Sequence, residues 1–162
     1  MDKRKFTDFY HVYLKRVYKF VLFRVGNNRA VAEDLTQDVF LKAYEVFERY
    51  DPTVSQASWI YTIARNHVIN HYAKTRHGVN LEEIEGSLVA SHDGRASMAQ
   101  QIMHGHIMEA VESLDQEDAV LVRMKYLEGW AFDELADILG KNSGALRVQA
   151  GRALKKVRVI IQ

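Results

Sequence analysis

"FDELADILGKNSGALRVQAGRALKKVR", residues 132–158, is the stretch whose reading decides the fold. Leu135, Ala136, Ile138 and Leu139 give a short helix one apolar side, and Gly140 supplies the usual glycine stop. After a brief turn, Asn142 is placed to cap a second helix. Leu146, Ala150, Ala153, Leu154 and Val157 form the buried stripe of that helix. Arg147, Gln149, Arg152, Lys155, Lys156 and Arg158 fall mostly off it. Helix, glycine turn and cationic helix together predict a helix-turn-helix. A helix of this kind fits the DNA major groove, with early residues at base edges and later cations at phosphates. Arg147 or Arg152 suits guanine, and Gln149 suits adenine. The alternative for the same pattern is a basic amphipathic helix lying on a partner or a membrane surface.

Outward from this motif the chain reads as all-helical. It has 162 residues, one proline and nine glycines, with few turn signals. Apolar residues at three- and four-residue spacing predict helices over 6–25 and 30–49. Phe6, Phe9, Tyr10, Tyr13, Val17, Phe20 and Val21 line the first, and Leu35, Val39, Ala43, Val46 and Phe47 the second. A third helix is predicted over 56–74. Residues 77–101 have three glycines, weak periodicity and an acidic balance, and read as a linker. A second helical block runs over 102–162, with breaks at Gly129 and Gly140. The expected domains are therefore 1–76 and 102–162, joined by 77–101.

Charge is segregated although the total is only +1. Positions 52–81 contain no acid, and neither do positions 141–162. A near-neutral total predicts modest non-specific DNA binding. With no cysteine, disulfides and thiolate chemistry are excluded. No apolar run reaches the roughly 20 residues of a membrane span, so no membrane insertion and a cytoplasmic location are expected.

The acid-free third helix, "SWIYTIARNHVINHYAKTR" at 58–76, has a core face of Ile60, Ala64, Val68 and Tyr72, with Tyr61 beside it. Trp59, Thr62, Asn66 and Asn70 lie roughly opposite, with Arg65 and Arg76 to one side. Amides, a hydroxyl, an indole and cations suit unpaired nucleic acid, whose bases stack on aromatic and guanidinium planes. The bland alternative buries Trp59 and the tyrosines in the core. "HVINH" also sets His67 and His71 four apart, as on zinc-binding helices, but Val68 stands where a zinc protease has its general-base glutamate. No enzyme, metal or cofactor is expected.

"AEDLTQDVFLKAYEVFERYDP" followed by the third-helix stretch resembles conserved region 2 of an extracytoplasmic-function (ECF) sigma factor. "ESLDQEDAVLVRMKYLEGWAFDELADILGKNSGALRVQAGRALKKVR" resembles its region 4. The resemblance covers nearly the whole chain and implies a transcription initiation factor. It implies that the helix holding Asp34, Gln37 and Asp38, with Leu41 and Glu45 on the same face, binds the clamp helices of the largest subunit of core RNA polymerase. It implies that Trp59, Thr62, Arg65, Asn66 and Asn70, then Tyr72, Lys74 and Arg76, read the −10 element and hold it open. It points to Asn142, Ser143, Arg147, Gln149 and Arg152, with Lys155 and Lys156, for the −35 duplex. The first part of region 4 would meet the flap of the second-largest subunit, and the acidic linker would thread the RNA exit channel. An anti-sigma factor is a further implied partner.

Three positions depart from the family pattern. Ala131 replaces a capping serine, Gly151 lies mid-helix, and Ala150 replaces a larger apolar residue. A helix-turn-helix regulator that binds duplex DNA by itself as a dimer is the other class these residues allow.

Overall fold

The computed structural model describes residues 2–76 and 98–162. Among them every regular element is helical, and they fall into two compact units. The first holds α1 (Lys3–Arg24), α2 (Arg29–Val46) with a 3₁₀ turn (Phe47–Arg49), and α3 (Gln56–Arg76). The second holds α4 (Met98–Glu112), α5 (Gln116–Val122), a π-helical turn (Arg123–Glu128), α6 (Phe132–Leu139) and α7 (Ser143–Ile161). The expected linker lies outside the described residues up to position 97. Its last four residues belong to α4, which begins at Met98 rather than near Ile102.

In the first unit the predicted stripes meet. Phe9, Tyr13, Val17, Phe20 and Val21 of α1 are buried, as are Leu35, Val39, Phe40 and Ala43 of α2 and Ile60, Ala64 and Val68 of α3. The side-chain oxygens of Asp2 and Asn28 accept backbone N–H groups and cap α1 and α2. Residues 26–27 make the corner between these helices with positive φ, 63° at Gly26 and 59° at Asn27, a conformation tolerated by glycine and asparagine.

The second unit is a helix-turn-helix supported from behind. Ala110 and Val111 of α4, Val122 of α5, and Ala153 and Val157 of α7 make one buried cluster. Trp130 is fully buried, and its indole N–H donates to a Glu128 carboxylate oxygen at 2.9 Å. Gly129 and Gly140 end their helical turns with φ of 86° and 64°, as the sequence breaks foretold. Asn142 caps α7 by accepting from the Ala145 N–H at 3.2 Å. Ala131 offers α6 no side-chain cap. Glu134 reaches back to the Ala131 N–H at 2.7 Å, so half of a capping box survives. Ala131→Ser is therefore expected to stabilise this unit by about 0.5–2 kcal/mol, read as a higher urea midpoint at an unchanged slope.

Candidate polymerase and nucleic-acid interfaces

Three exposed surfaces carry the residues the sequence singled out. On α2, Asp34, Gln37, Asp38, Leu41 and Glu45 all face solvent, with Leu41 63% exposed. Lys42 pairs with Glu45 at 3.3 Å across open water, a contact of little net value. Beside this acidic stripe runs an apolar groove of about 350 Å³ between α1 and α2. Phe6, Tyr10, Phe40 and Tyr44 line it, and Gln37 and Leu41 of the stripe form its edge. The sequence reading placed the aromatic residues of α1 in the core and missed this groove. Half-burial of Phe6 and Tyr10 separates the groove from the core, and residue spacing alone does not show it.

On α3, Thr62, Arg65, Asn66, Asn70 and Lys74 are exposed on the side away from Ile60, Ala64 and Val68. The Thr62 hydroxyl donates to the Ser58 carbonyl at 2.9 Å, the ordinary resting place of a helical threonine. Arg76 closes the helix. Trp59, which the sequence leaves open between the exposed face and the core, is half-buried and packs against Phe9, Phe47 and Tyr50, with ring centroids 5.5, 6.0 and 5.0 Å away. The 3₁₀ turn after α2 delivers Phe47, and the residue after that turn is Tyr50. Tyr72 was set in the core stripe, yet it is 43% exposed and its hydroxyl donates to the Arg24 carbonyl at the end of α1. Partial burial raises the Tyr72 phenol above its ordinary value, so it remains a neutral donor across the physiological range. The His67 ring nitrogen lies 2.9 Å from the Ile63 carbonyl. Among the described residues no metal-ligating cluster forms.

On α7, Arg147, Arg152 and Lys155 are exposed. The Arg147 guanidinium lies 4.9 Å from the centre of the Phe132 ring, and the Lys125 ammonium lies 4.7 Å from the same ring. Such contacts are worth about 0.5–1 kcal/mol at a surface, enough to bias a long side chain toward one direction. Ser143 donates to Asp133 at 2.8 Å and so ties the two helices of the motif together.

Gln149 and Lys156 lie off the buried stripe, Gln149 half-buried and Lys156 exposed, and both reach toward Asp118 of α5, which is 7% exposed. The Gln149 amide donates to Asp118 Oδ1 at 3.0 Å, and the Lys156 ammonium donates to Asp118 Oδ2 at 2.7 Å and Asp115 Oδ2 at 3.3 Å. A buried carboxylate requires such partners, and these two side chains lie within reach of it. Lys141 is likewise paired, with Glu117 at 2.8 Å.

The Lys156 ammonium, helped by the Gln149 amide, holds the Asp118 carboxyl below its ordinary value of 3.8. A group depressed in the folded state stabilises fully above its unfolded value and loses that contribution as pH falls through the folded one. Acid should therefore loosen the α5–α7 contact below about pH 4. Asp118→Asn is expected to melt at lower temperature than the parent at neutral pH. Lys156 is half-exposed, so solvent screening keeps the difference small. The gap between the two melting temperatures should narrow as the pH is lowered below about 4, as followed by calorimetry.

The acidic stripe and apolar groove of α2 and the amide-bearing, cationic face of α3 lie on one module, and the helix-turn-helix lies on the other. Residues 9–78 match the family model for sigma-70 region 2, and residues 104–157 match that for sigma-70 region 4. The chain belongs to the sigma-70 family and is an ECF sigma factor built of regions 2 and 4. It is 29% identical over 93% of its length to the ECF RNA polymerase sigma factor BldN of Streptomyces coelicolor, of whose length it spans 58%. It is 28% identical over 96% of its length to the RNA polymerase sigma factor CarQ of Myxococcus xanthus, covering 88% of that protein. Among solved structures, the sigma factor RpoE of Bartonella quintana, in complex with the anti-sigma factor NepR, shares the fold. The TM-score is 0.61 at 18% identity, over 98% of this chain and 97% of that one.

Proposed function

We propose that this chain binds core RNA polymerase and directs it to promoters, with residues 1–76 acting as region 2, 77–101 as the linker and 102–162 as region 4. Region 4 reads the −35 duplex, while region 2 captures and holds the −10 element as the strands part. The observation that carries this reading is the pairing, in one chain, of an Asn142-capped cationic helix behind a left-handed Gly140 turn with the acid-free, amide-bearing face of α3. A duplex reader needs a rigid helix with cations at phosphate distance. A strand-opening surface needs groups that pair with or stack on bases once they leave the helix.

The exposed acids of α2 and the neighbouring groove suit a basic helix with apolar anchors, and the clamp helices of the polymerase's largest subunit are the proposed occupant. The first part of region 4 is proposed to meet the flap of the second-largest subunit. An anti-sigma partner is supported by the solved relatives, since RpoE was solved with NepR and CnrH with the cytosolic domain of CnrY. No helix of the described residues is long and apolar enough to cross a membrane, in keeping with a factor that works on DNA.

The test is in vitro transcription with core polymerase on a random promoter library. The expected result is enrichment of a two-part motif that requires this chain. Core enzyme gaining no start-site selectivity would refute the reading. A specific gel shift by the chain alone, unchanged by polymerase, would instead support the stand-alone regulator.

A further inference from the structure

The middle of the exposed face of α7 is nearly bare. Gly144, Val148 and Gly151 recur at steps of four and three residues and so form one row on the helix. All three are exposed, Val148 to 55%. The opposite side of the helix is spent on Leu146, Ala150, Ala153 and Val157 in the core. A Cβ added at Gly151 would meet nothing within 4 Å, and at Gly144 it would come within 3.1 Å of the Asn142 capping oxygen. Lys155 continues the row one turn beyond Gly151, with Arg147 on one flank and Arg152 on the other. Gln149, the side chain the sequence offered for adenine, is held away by Asp118 at 3.0 Å. What projects from the centre is an isopropyl group between two positions that have no side chain.

That arrangement has a chemical counterpart in DNA. The apolar feature of a base pair in the major groove is the C5 methyl of thymine. Glycines on either side allow the helix backbone to come close to the bases. A valine in a helix keeps essentially one χ1 rotamer, so its methyl groups are already fixed in direction before contact. The flanking cations are positioned for phosphates, which fix register without specifying sequence.

We infer that Val148 is a specificity-determining residue of region 4 that reads a thymine methyl in the −35 duplex. The inference rests on the −35 reading proposed above for region 4.

The test uses the full chain with core polymerase. The −35 element is first taken from the promoter library. Each thymine of that element, on either strand, is then replaced in turn by deoxyuridine, which lacks only the methyl. At one position the wild-type holoenzyme is expected to bind roughly fourfold more weakly, the effect of one buried methyl group. Val148→Ala, which is exposed and keeps the helix, should lose roughly the same factor on the unmodified promoter. It should also no longer distinguish thymine from deoxyuridine at that position. A holoenzyme indifferent to every replacement overturns the inference while leaving the proposed function intact. So does a Val148→Ala protein that keeps full sensitivity to the methyl, or a selected element without thymine on either strand. A library that yields no −35 element refutes the −35 reading and this inference with it.

Discussion

Replacing Trp130 with alanine is expected to unfold residues 98–162 while leaving the helices of residues 2–76 intact. Trp130 has no solvent exposure, and its neighbours Leu135 and Met124 are equally sealed. Truncating a buried tryptophan costs about 3–5 kcal/mol, from the lost transfer energy and the cavity left behind. The change also removes the indole N–H from the Glu128 carboxylate, which is 1% exposed. A polar group at such depth adds a further ~1–3 kcal/mol when a hydrogen bond is taken from it. A unit of this size has a total stability of roughly 3–10 kcal/mol, so most or all of it disappears. Urea titration followed by helical circular dichroism checks this, because one of the two parental transitions should vanish. Trp59 remains as the only tryptophan and, excited selectively, should report an unchanged transition for region 2. A variant with both transitions would mean that the π-turn and α6 are held by other contacts. Trp130→Phe keeps the ring and loses only the N–H, and should fall between the two.

The second large effect separates the two readers. Arg147→Ala is expected to weaken promoter binding about 5- to 100-fold, the range for losing a well-placed arginine contact to duplex DNA. Asn66→Ala is expected to leave initial binding nearly intact and to slow open-complex formation. Asn66 stands on the exposed side of α3, where its amide can serve a base that has left the stack. A template opened in advance across the −10 region discriminates between them. Opening should restore most of the rate for Asn66→Ala and do little for Arg147→Ala. Stopped-flow fluorescence of a labelled promoter measures both. Equal defects on the opened template would refute the division of labour.

The sequence was most informative where one helix answered to one periodicity. The Asn142 cap and the left-handed stops at Gly129 and Gly140 follow from local chemistry and appear as expected, as does the buried stripe of α7 except at Leu154, which is half-buried. What one helix does not report is a partner distant in the chain or outside that helix. The pattern of α3 leaves Trp59 open between core and surface, and Phe9 from α1 and Phe47 from the 3₁₀ turn decide its surroundings. Tyr72 shares a helical stripe with Val68 but lies near the end of α3, where the Arg24 carbonyl rather than a core receives it. Gln149 and Lys156 find an acid 31 and 38 residues earlier. No residue spacing reports that a carboxylate on another helix is buried, and a buried carboxylate gathers any donor within reach. The unexpectedly early start of α4 has a simpler origin, since the composition shift that marked a linker begins before the helix and runs into it.

The acids of α5 have a thermodynamic consequence for how region 4 treats DNA in general. Of the six basic side chains between positions 141 and 162, Lys141 and Lys156 are paired within the protein, with Glu117 and with Asp115 and Asp118. Only cations free to meet phosphate displace condensed counterions from the duplex, so four rather than six contribute. From these side chains the logarithm of affinity should then fall with the logarithm of salt at a slope of roughly −3.6, where six would give roughly −5.4. A reader built this way gains less from arbitrary DNA and leaves a larger share of its discrimination to shape and base edges.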